Sequence, residues 1–204
     1  GWVKNEFKKK IFKIMYNFSD KIIVNSSDFK NEFKKFFGAN AVCIYNPLNK
    51  EKIIKLSKKK TIFFKKKGKI KILNIGRLVD QKNQIILLKA LNIIKDHINF
   101  EVIIMGNGVL KKKLEKYIKE NQLQKSVKII KFQKNPYNIL NSCDTLIHTA
   151  KYEGLPNVLV EAQVLKKGIF SSDCPSGPRE ILINGKAGIL FKNNNNLNLS
   201  KKFI

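Results

Sequence analysis

The chain has 204 residues, 43% of them hydrophobic, which is enough to bury a substantial core in one or two domains. Its 41 basic residues oppose 15 acidic ones for a formal charge of +26, yet only Arg77 and Arg179 are arginines and the lysines are spread over the whole chain. Arginine is the usual side chain for bidentate reading of base edges, so the composition argues against a nucleic-acid partner and makes attraction to an anionic membrane surface the simpler meaning of the charge.

Cys43, Cys143 and Cys174 are odd in number, widely separated and free of any C-x-x-C spacing. Neither a disulfide framework nor a zinc site is indicated, and reduced cytoplasm is the expected compartment. No apolar run approaches the roughly 20 residues needed to span a bilayer, and no secretory leader is visible. A cytoplasmic protein, soluble or peripheral on the inner face of the membrane, is expected. The chain opens on Gly1 and stops inside the helix-like SKKFI, as a piece of a longer protein would.

The first stretch puts Trp2, Phe7, Ile11, Ile14 and Phe18 at helical spacing among lysines, a basic amphipathic helix suited to packing on a sheet or lying on a membrane. KIIVNS then reads as a short buried parallel strand, SDFKNEFKKFF as a helix closed by Gly38, and AVCIYNP as a second strand. Residues 1–48 therefore read as the last strand, helix and strand of one domain. Lysine runs and a weak helical pattern make residues 49–68 a linker, and a second domain fills residues 69–204.

In that second domain strands are expected at 71–76, 100–106, 127–132 and 145–150, and in the segments GIFSSD and GILF. Helices alternate with them at 83–96, VLKKKLEKYIKEN, PYNILNSC, PNVLVEAQVLKK and GPREIL. Regular alternation implies an α/β fold with a Rossmann-like, doubly wound parallel sheet, in which ligands bind beyond the carboxyl ends of the strands.

Several distinctive residues fall at those ends. In NIGRLVDQKN, Gly76 ends a strand, and Arg77 and Lys82 lie in the following loop, where they suit either a phosphate clamp or a loop salt bridge. MGNG, with Gly106, lacks the third glycine of the dinucleotide fingerprint and follows the second strand of its domain, so it supports only a turn that a ligand can approach. EGLPN is the strongest local signal. Gly154 permits close approach, Pro156 suits a helix start, and a helix from about Asn157 would aim free N–H groups at an anion. Glu153 stands just before that helix and Glu161 about one turn inside it, in the apolar stretch VLVEAQVL. Each acid alone could be a helix charge. As a pair around a phosphate-binding turn they suit a nucleotide sugar, because carboxylates accept hydrogen bonds from sugar hydroxyls.

EGLPNVLVE resembles the E-x7-E element of retaining GT-B glycosyltransferases, the large glycosyltransferase group 1. IYNPLN, IGRLVDQKN, SCDTLIHTAKYEGLPNVLVEA, SSDCPSGPREIL and AGILF follow that family's order along nearly the whole chain. The resemblance implies the C-terminal donor-binding half of a GT-B fold, preceded by the last βαβ of the N-terminal, acceptor-side domain. It implies that Arg77 and Lys82 bind the donor diphosphate, Glu161 the ribose and Glu153 the transferred sugar. The backbone of Gly154, Leu155, Pro156 and Asn157 would lie near sugar and phosphates, and the base near Phe132. With no D-x-D anywhere in the chain, no metal is expected and the donor, UDP-hexose or UDP-N-acetylhexosamine, is a substrate with no other cofactor. SSDCPSGPREIL most resembles bacterial enzymes that build lipid-linked or surface oligosaccharides, such as N-acetylgalactosamine transferases, with a glycan or lipid-linked glycan as acceptor. Only the last βαβ of the family's acceptor domain is present, and His97 and His148 both fall in the donor half and match no acceptor-side role. With half of the cleft that would hold the acceptor and exclude water absent, the isolated chain is expected to bind donor without transferring sugar. A nucleotide-sugar epimerase of GT-B shape and a basic nucleic-acid-binding module are the alternative functions.

Overall fold

The computed structural model describes residues 6–65 and 67–203, and of residues 6–9 and 17 only the backbone. In chain order the elements are α1 (Glu6–Asn17), β1 (Ile23–Val24), α2 (Ser27–Phe37), β2 (Val42–Cys43), α3 (Lys50–Ser57) and β3 (Ile70–Ile75). There follow α4 (Gln84–Ile94), β4 (Phe100–Met105), α5 (Lys111–Glu120), β5 (Val127–Ile130), α6 (Tyr137–Ser142), β6 (Thr145–His148) and α7 (Asn157–Val164). The chain closes with β7 (Gly168–Asp173), α8 (Pro178–Ile181), β8 (Ile189–Lys192) and α9 (Asn196–Lys201).

Six strands form one sheet in the order β5-β4-β3-β6-β7-β8, every neighbouring pair parallel. The central strands are near-continuous apolar runs because helices cover both faces of the sheet. Leu87, Leu91, Leu114 and Leu199, from α4, α5 and α9, meet Ile72, Val102 and Ile104 on one face. Leu140, Leu159 and Ala162, from α6 and α7, with Leu182 just after α8, meet Leu73, Ile103 and Leu146 on the other. Chain order reverses between β3 and β6. The loop after β3 leads to a helix on one face and the loop after β6 to a helix on the other, which opens a crevice at their carboxyl ends.

The first unit is a two-stranded parallel sheet, Ile23 beside Val42 and Val24 beside Cys43, with α2 over it. Val24, Phe33 and Ala41 form its buried centre. The Tyr16 ring meets Phe33 and Phe37 edge-on with centroids 4.7 and 5.2 Å apart, and Phe12 stacks on Tyr16. The packed face of α1 is thus Phe12 and Tyr16, while Ile14 and Phe18 of the expected apolar stripe are 59% and 86% exposed. Rings interlocking with the aromatic face of α2 outcompete the aliphatic stripe. Trp2 and the side chain of Phe7 lie outside the described residues. The stretch between the units holds α3, tied to the α6 region by Asn135 Nδ2 donating to the Leu56 carbonyl at 2.9 Å and Asn141 Nδ2 to that of Ser57 at 3.3 Å.

The two units meet through reciprocal capping of helix starts. The Glu180 carboxylate of α8 accepts the backbone N–H of Ser27 at 3.0 Å and of Asp28 at 3.3 Å, in the first turn of α2, and the Tyr45 hydroxyl also donates to it. In return the Asp28 carboxylate accepts the N–H of Gly177, just before α8, at 3.3 Å. Only glycine fits at Gly177: φ is +89°, and a Cβ there would stand 2.5 Å from the Gly154 carbonyl oxygen. Burial would raise the Glu180 pKa, but the hydrogen bonds from Tyr45, Ser27 and Asp28 outweigh it and hold the group below its ordinary 4.5. A depressed carboxyl contributes stability that is present above the unfolded-state pKa and lost as pH falls through the folded-state value. Glu180→Ala is expected to cost about 1–2 kcal/mol and to speed hydrogen exchange at Ser27 and Asp28 at pH 7, with the excess shrinking in acid. Exchange by mass spectrometry on the two proteins measures this.

Candidate active site

The β3 and β6 strand ends converge because these strands are neighbours, with Leu73 beside Leu146 in register. Their loops are laced together: Thr149 Oγ1 donates to the Lys82 carbonyl at 2.8 Å, the Lys151 N–H to that of Gln81 at 2.8 Å, and Gln81 Nε2 to that of Tyr152 at 3.0 Å. This lacing delivers Lys82 to Glu153, and the two side chains form an ion pair through Nζ and Oε1. His148, the last residue of β6 and 3% exposed, places Nε2 3.0 Å from the same Oε1 and Nδ1 3.0 Å from Ser171 Oγ of β7. The second oxygen of Glu153, Oε2, has no hydrogen bond among the described residues. Burial works to raise the Glu153 pKa, but the hydrogen bond and charge of His148, followed by Lys82, overcome it and hold the group below its ordinary value. An ionised, nearly buried carboxylate with one free oxygen therefore sits at the switch point.

Around it opens a cleft of about 550 Å³. Of the residues singled out in the sequence, Gly76, Arg77, Lys82, Gly106, Phe132, Glu153, Leu155, Pro156 and Asn157 line it, with Ile75, Asn107 and Val158 beside them. Arg77 is exposed and its guanidinium has no ion-pair partner among the described residues, whereas Arg179 is paired with Asp173. No side chain caps the start of α7, so its N-terminal end keeps its partial positive charge toward the cleft. An arginine fork, a lysine and a helix N-terminus converge on a space fit for phosphate oxygens, with a carboxylate next to them.

Gly154 and Glu161 are not among the lining residues. Gly154 turns toward the first unit, where a Cβ would be 3.1 Å from Asn25 Oδ1. Glu161 is half-buried against α6 and accepts a long hydrogen bond from the Tyr137 hydroxyl at 3.4 Å. Its burial raises its pKa and the Tyr137 bond only partly opposes that. Gly106 also has a structural reason: a Cβ would fall 1.9 Å from the Gly76 carbonyl oxygen, so the two strand-end loops touch backbone to backbone. His148 and Ser171 were not legible as site residues. A histidine ending the strand that leads to EGLPN was the available signal, but its partner Ser171 lies 23 positions away on another strand.

Fold and site together define a doubly wound α/β protein with a cleft lined by Arg77, Lys82 and Glu153 at its switch point. Residues 57–204 match the family described as Glycosyl transferases group 1, and the chain belongs to that family. It is 33% identical over 181 residues, 84% of its length, to an uncharacterised glycosyltransferase of Methanocaldococcus jannaschii, spanning 44% of that protein. Over 201 residues, 95% of its length, it is 29% identical to the N-acetylgalactosamine-N,N'-diacetylbacillosaminyl-diphospho-undecaprenol 4-alpha-N-acetylgalactosaminyltransferase of Campylobacter jejuni, spanning 53% of that enzyme. The chain thus covers about half the length of each. Among solved structures, Anabaena HepE in complex with UDP superposes with a TM-score of 0.82 at 19% identity, over 98% of this chain and 58% of that one. Family membership favours a transferase over the epimerase and nucleic-acid readings.

The two glutamates have pKa values shifted in opposite directions, and thermal melts without ligand separate them. Glu153→Gln discards a carboxylate stabilised by Lys82 and His148, and at pH 7 is expected to lower Tm by about 2–8 °C, as a loss of about 1–2 kcal/mol does at this chain length. Glu161 has a raised pKa, so its ionised form above that value opposes folding. Glu161→Gln is expected to leave Tm unchanged or higher at pH 7.

Proposed function

We propose that the chain is the donor-binding part of a retaining glycosyltransferase that moves a hexose or N-acetylhexosamine from a UDP-sugar to a glycan or lipid-linked glycan acceptor. The observation that carries this reading is Glu153, an ionised carboxylate held on one oxygen by Lys82 and His148, beside an uncapped helix start and Arg77, which has no ion-pair partner among the described residues. Arg77 and Lys82 take the diphosphate, which frees Lys82 from part of its pairing with Glu153. The turn from Gly154 to Asn157 runs along sugar and phosphates, and Phe132, 53% exposed at the cleft wall, offers a ring face to the base. Glu161 receives the ribose hydroxyls by exchanging its long bond to Tyr137 for shorter ones. Glu153, left with a free oxygen, accepts from the sugar and stabilises positive character that develops at the anomeric centre. The basic clamp does the work of a metal in stabilising the departing diphosphate. HepE, crystallised with UDP-glucose, and the C. jejuni enzyme, named for a diphospho-undecaprenol acceptor, support the choice of donor and acceptor class.

Since the chain spans about half the length of these relatives, residues 1–204 alone are expected to bind UDP with no sugar transfer. Peripheral attachment to the inner membrane face is supported by the lysine excess and by Ile14, Met15 and Phe18, exposed on and just after α1 near Lys10 and Lys13. Sedimentation with anionic but not neutral vesicles is its test.

Calorimetry with UDP tests the site. Arg77→Ala and Lys82→Ala are each expected to weaken UDP by about 1.5–3 kcal/mol and to leave uridine nearly unaffected. Glu161→Gln should weaken UDP by about 1–3 kcal/mol, while Glu153→Gln leaves UDP affinity nearly intact and lowers kcat in the complete enzyme. EDTA is expected to change nothing. Strict magnesium dependence, or equal and negligible effects of both glutamate changes, would overturn the reading.

A further inference from the structure

We propose that His148 is a positioning residue for Glu153: buried behind the cleft, it holds one carboxylate oxygen through Nε2–H so that the other stays free for the transferred sugar. The inference rests on the donor-site reading above and names a residue that reading leaves without a role.

An ionised carboxylate can only accept, so the ring nitrogen 3.0 Å from Glu153 Oε1 carries the hydrogen. That assigns Nε2–H and leaves Nδ1 facing Ser171 Oγ at 3.0 Å. Ser171 has one hydroxyl hydrogen and two acceptors in reach, Nδ1 and the Ser172 carbonyl oxygen at 3.1 Å. When Nδ1 is bare the hydroxyl donates to it. When Nδ1 carries a hydrogen the hydroxyl turns to the carbonyl and accepts from the ring. Either way the Nε2–H stays on Glu153. The hydroxyl rotor thus makes the imidazole contact with Glu153 indifferent to the state of the far nitrogen.

The group is not a hydrolytic triad. Ser171 is fully buried and cannot meet a substrate, and the imidazole points its free hydrogen at the acid. Lys82 and His148 share the same carboxylate oxygen, but they differ in reach. Lys82 lines the cleft and can turn to a phosphate, whereas His148 is 3% exposed and locked between β6 and β7. When Lys82 turns away, His148 is the donor that keeps Glu153 in place. Among the described residues, the charged and titratable groups around this contact are Glu153, Lys82 and, beyond them, Cys174, whose buried thiol is pushed up to about 12.

The full-length protein, labelled with ¹⁵N on histidine, gives the direct test. The His148 ring, assigned by its loss in His148→Gln, is expected to carry hydrogen on Nε2, alone or with Nδ1. Hydrogen on Nδ1 alone overturns the proposal. The functional test follows UDP release from UDP-glucose, UDP-galactose and their N-acetylated counterparts, with UDP affinity measured alongside. His148→Phe is expected to slow release by about 10- to 100-fold through misplacement of Glu153 while UDP affinity stays within about twofold. His148→Gln, whose amide can reach the place of Nε2, recovers most of the rate. In a Glu153→Gln background His148→Phe should cost less than about a further twofold. Multiplying losses in the double variant, or equal losses for Phe and Gln, overturn the idea. If His148→Phe fails to fold, Ser171→Ala decides: a smaller loss of rate at unchanged UDP affinity supports the proposal, and no loss counts against it. Wild-type protein that neither binds UDP nor releases it from any of these donors sinks the donor-site reading instead, and the nitrogen assignment still decides whether His148 holds Glu153.

Discussion

The side-by-side placement of β3 and β6 is the constraint on which the rest of this molecule depends. Where the strand order of a doubly wound parallel sheet reverses, the two neighbouring strands send their following helices to opposite faces, and the departing loops leave a crevice between them. Here that space receives the loop bearing Arg77 and Lys82 from one side and the loop bearing Glu153 from the other. The crossing hydrogen bonds of Thr149, Lys151 and Gln81 then fix the separation of the two loops. A slip of register between these strands would separate the lysine from the acid before any change in either side chain.

Given that geometry, the electrostatics follow from burial. A carboxylate with little solvent around it is costly unless donors replace the lost water. Glu153 has two, one mobile and one fixed, and both fall on one oxygen. The arrangement keeps the acid charged in a place where desolvation alone would neutralise it. Glu161 shows the contrast within the same helix region: it has only a distant tyrosine hydroxyl, and its pKa moves the other way. Two acids eight positions apart in one motif thus occupy different electrostatic environments.

The junction between the units reaches the same turn. Gly177 packs against the Gly154 carbonyl and Pro156, and the Glu153 N–H donates to the Pro175 carbonyl at 3.1 Å. The segment that carries Glu180 to the start of α2 therefore also buttresses EGLPN from behind. The reciprocal caps of Asp28 and Glu180 use charge-assisted hydrogen bonds where an apolar contact would do little, because both helix starts present unpaired N–H groups. The stretch from Pro175 to Glu180 thus serves both contact between the units and the shape of the EGLPN turn, and Asn46 Nδ2, donating to Asn157 Oδ1 at 2.9 Å, adds a second link.

Much of this was legible without coordinates. The alternation of apolar runs with helical periods specifies a parallel doubly wound sheet, because a strand covered on both faces has no polar side to show, and KILNIG, FEVIIMG and TLIHTA each have that character. Arg77, Lys82 and Glu153 were identifiable because unusual residue types stood at strand ends beside glycine and proline. Other features depended on distance in space. The apolar stripe of Ile11, Ile14 and Phe18 has the right period, but the face that packs was chosen by the rings of Phe33 and Phe37 on another helix. Gly106 reads as room for a ligand, and only the position of the Gly76 carbonyl shows that it is room for another loop as well. His148 and Ser171 are ordinary residues in ordinary strands until β6 and β7 align. Local sequence determined which segments became strands and helices, since that rests on periodicity and turn chemistry within a few residues. The tertiary structure alone decided that Lys82 joins His148 on one oxygen of Glu153, and that Ser171 backs the imidazole, since both depend on the order of the strands in the sheet.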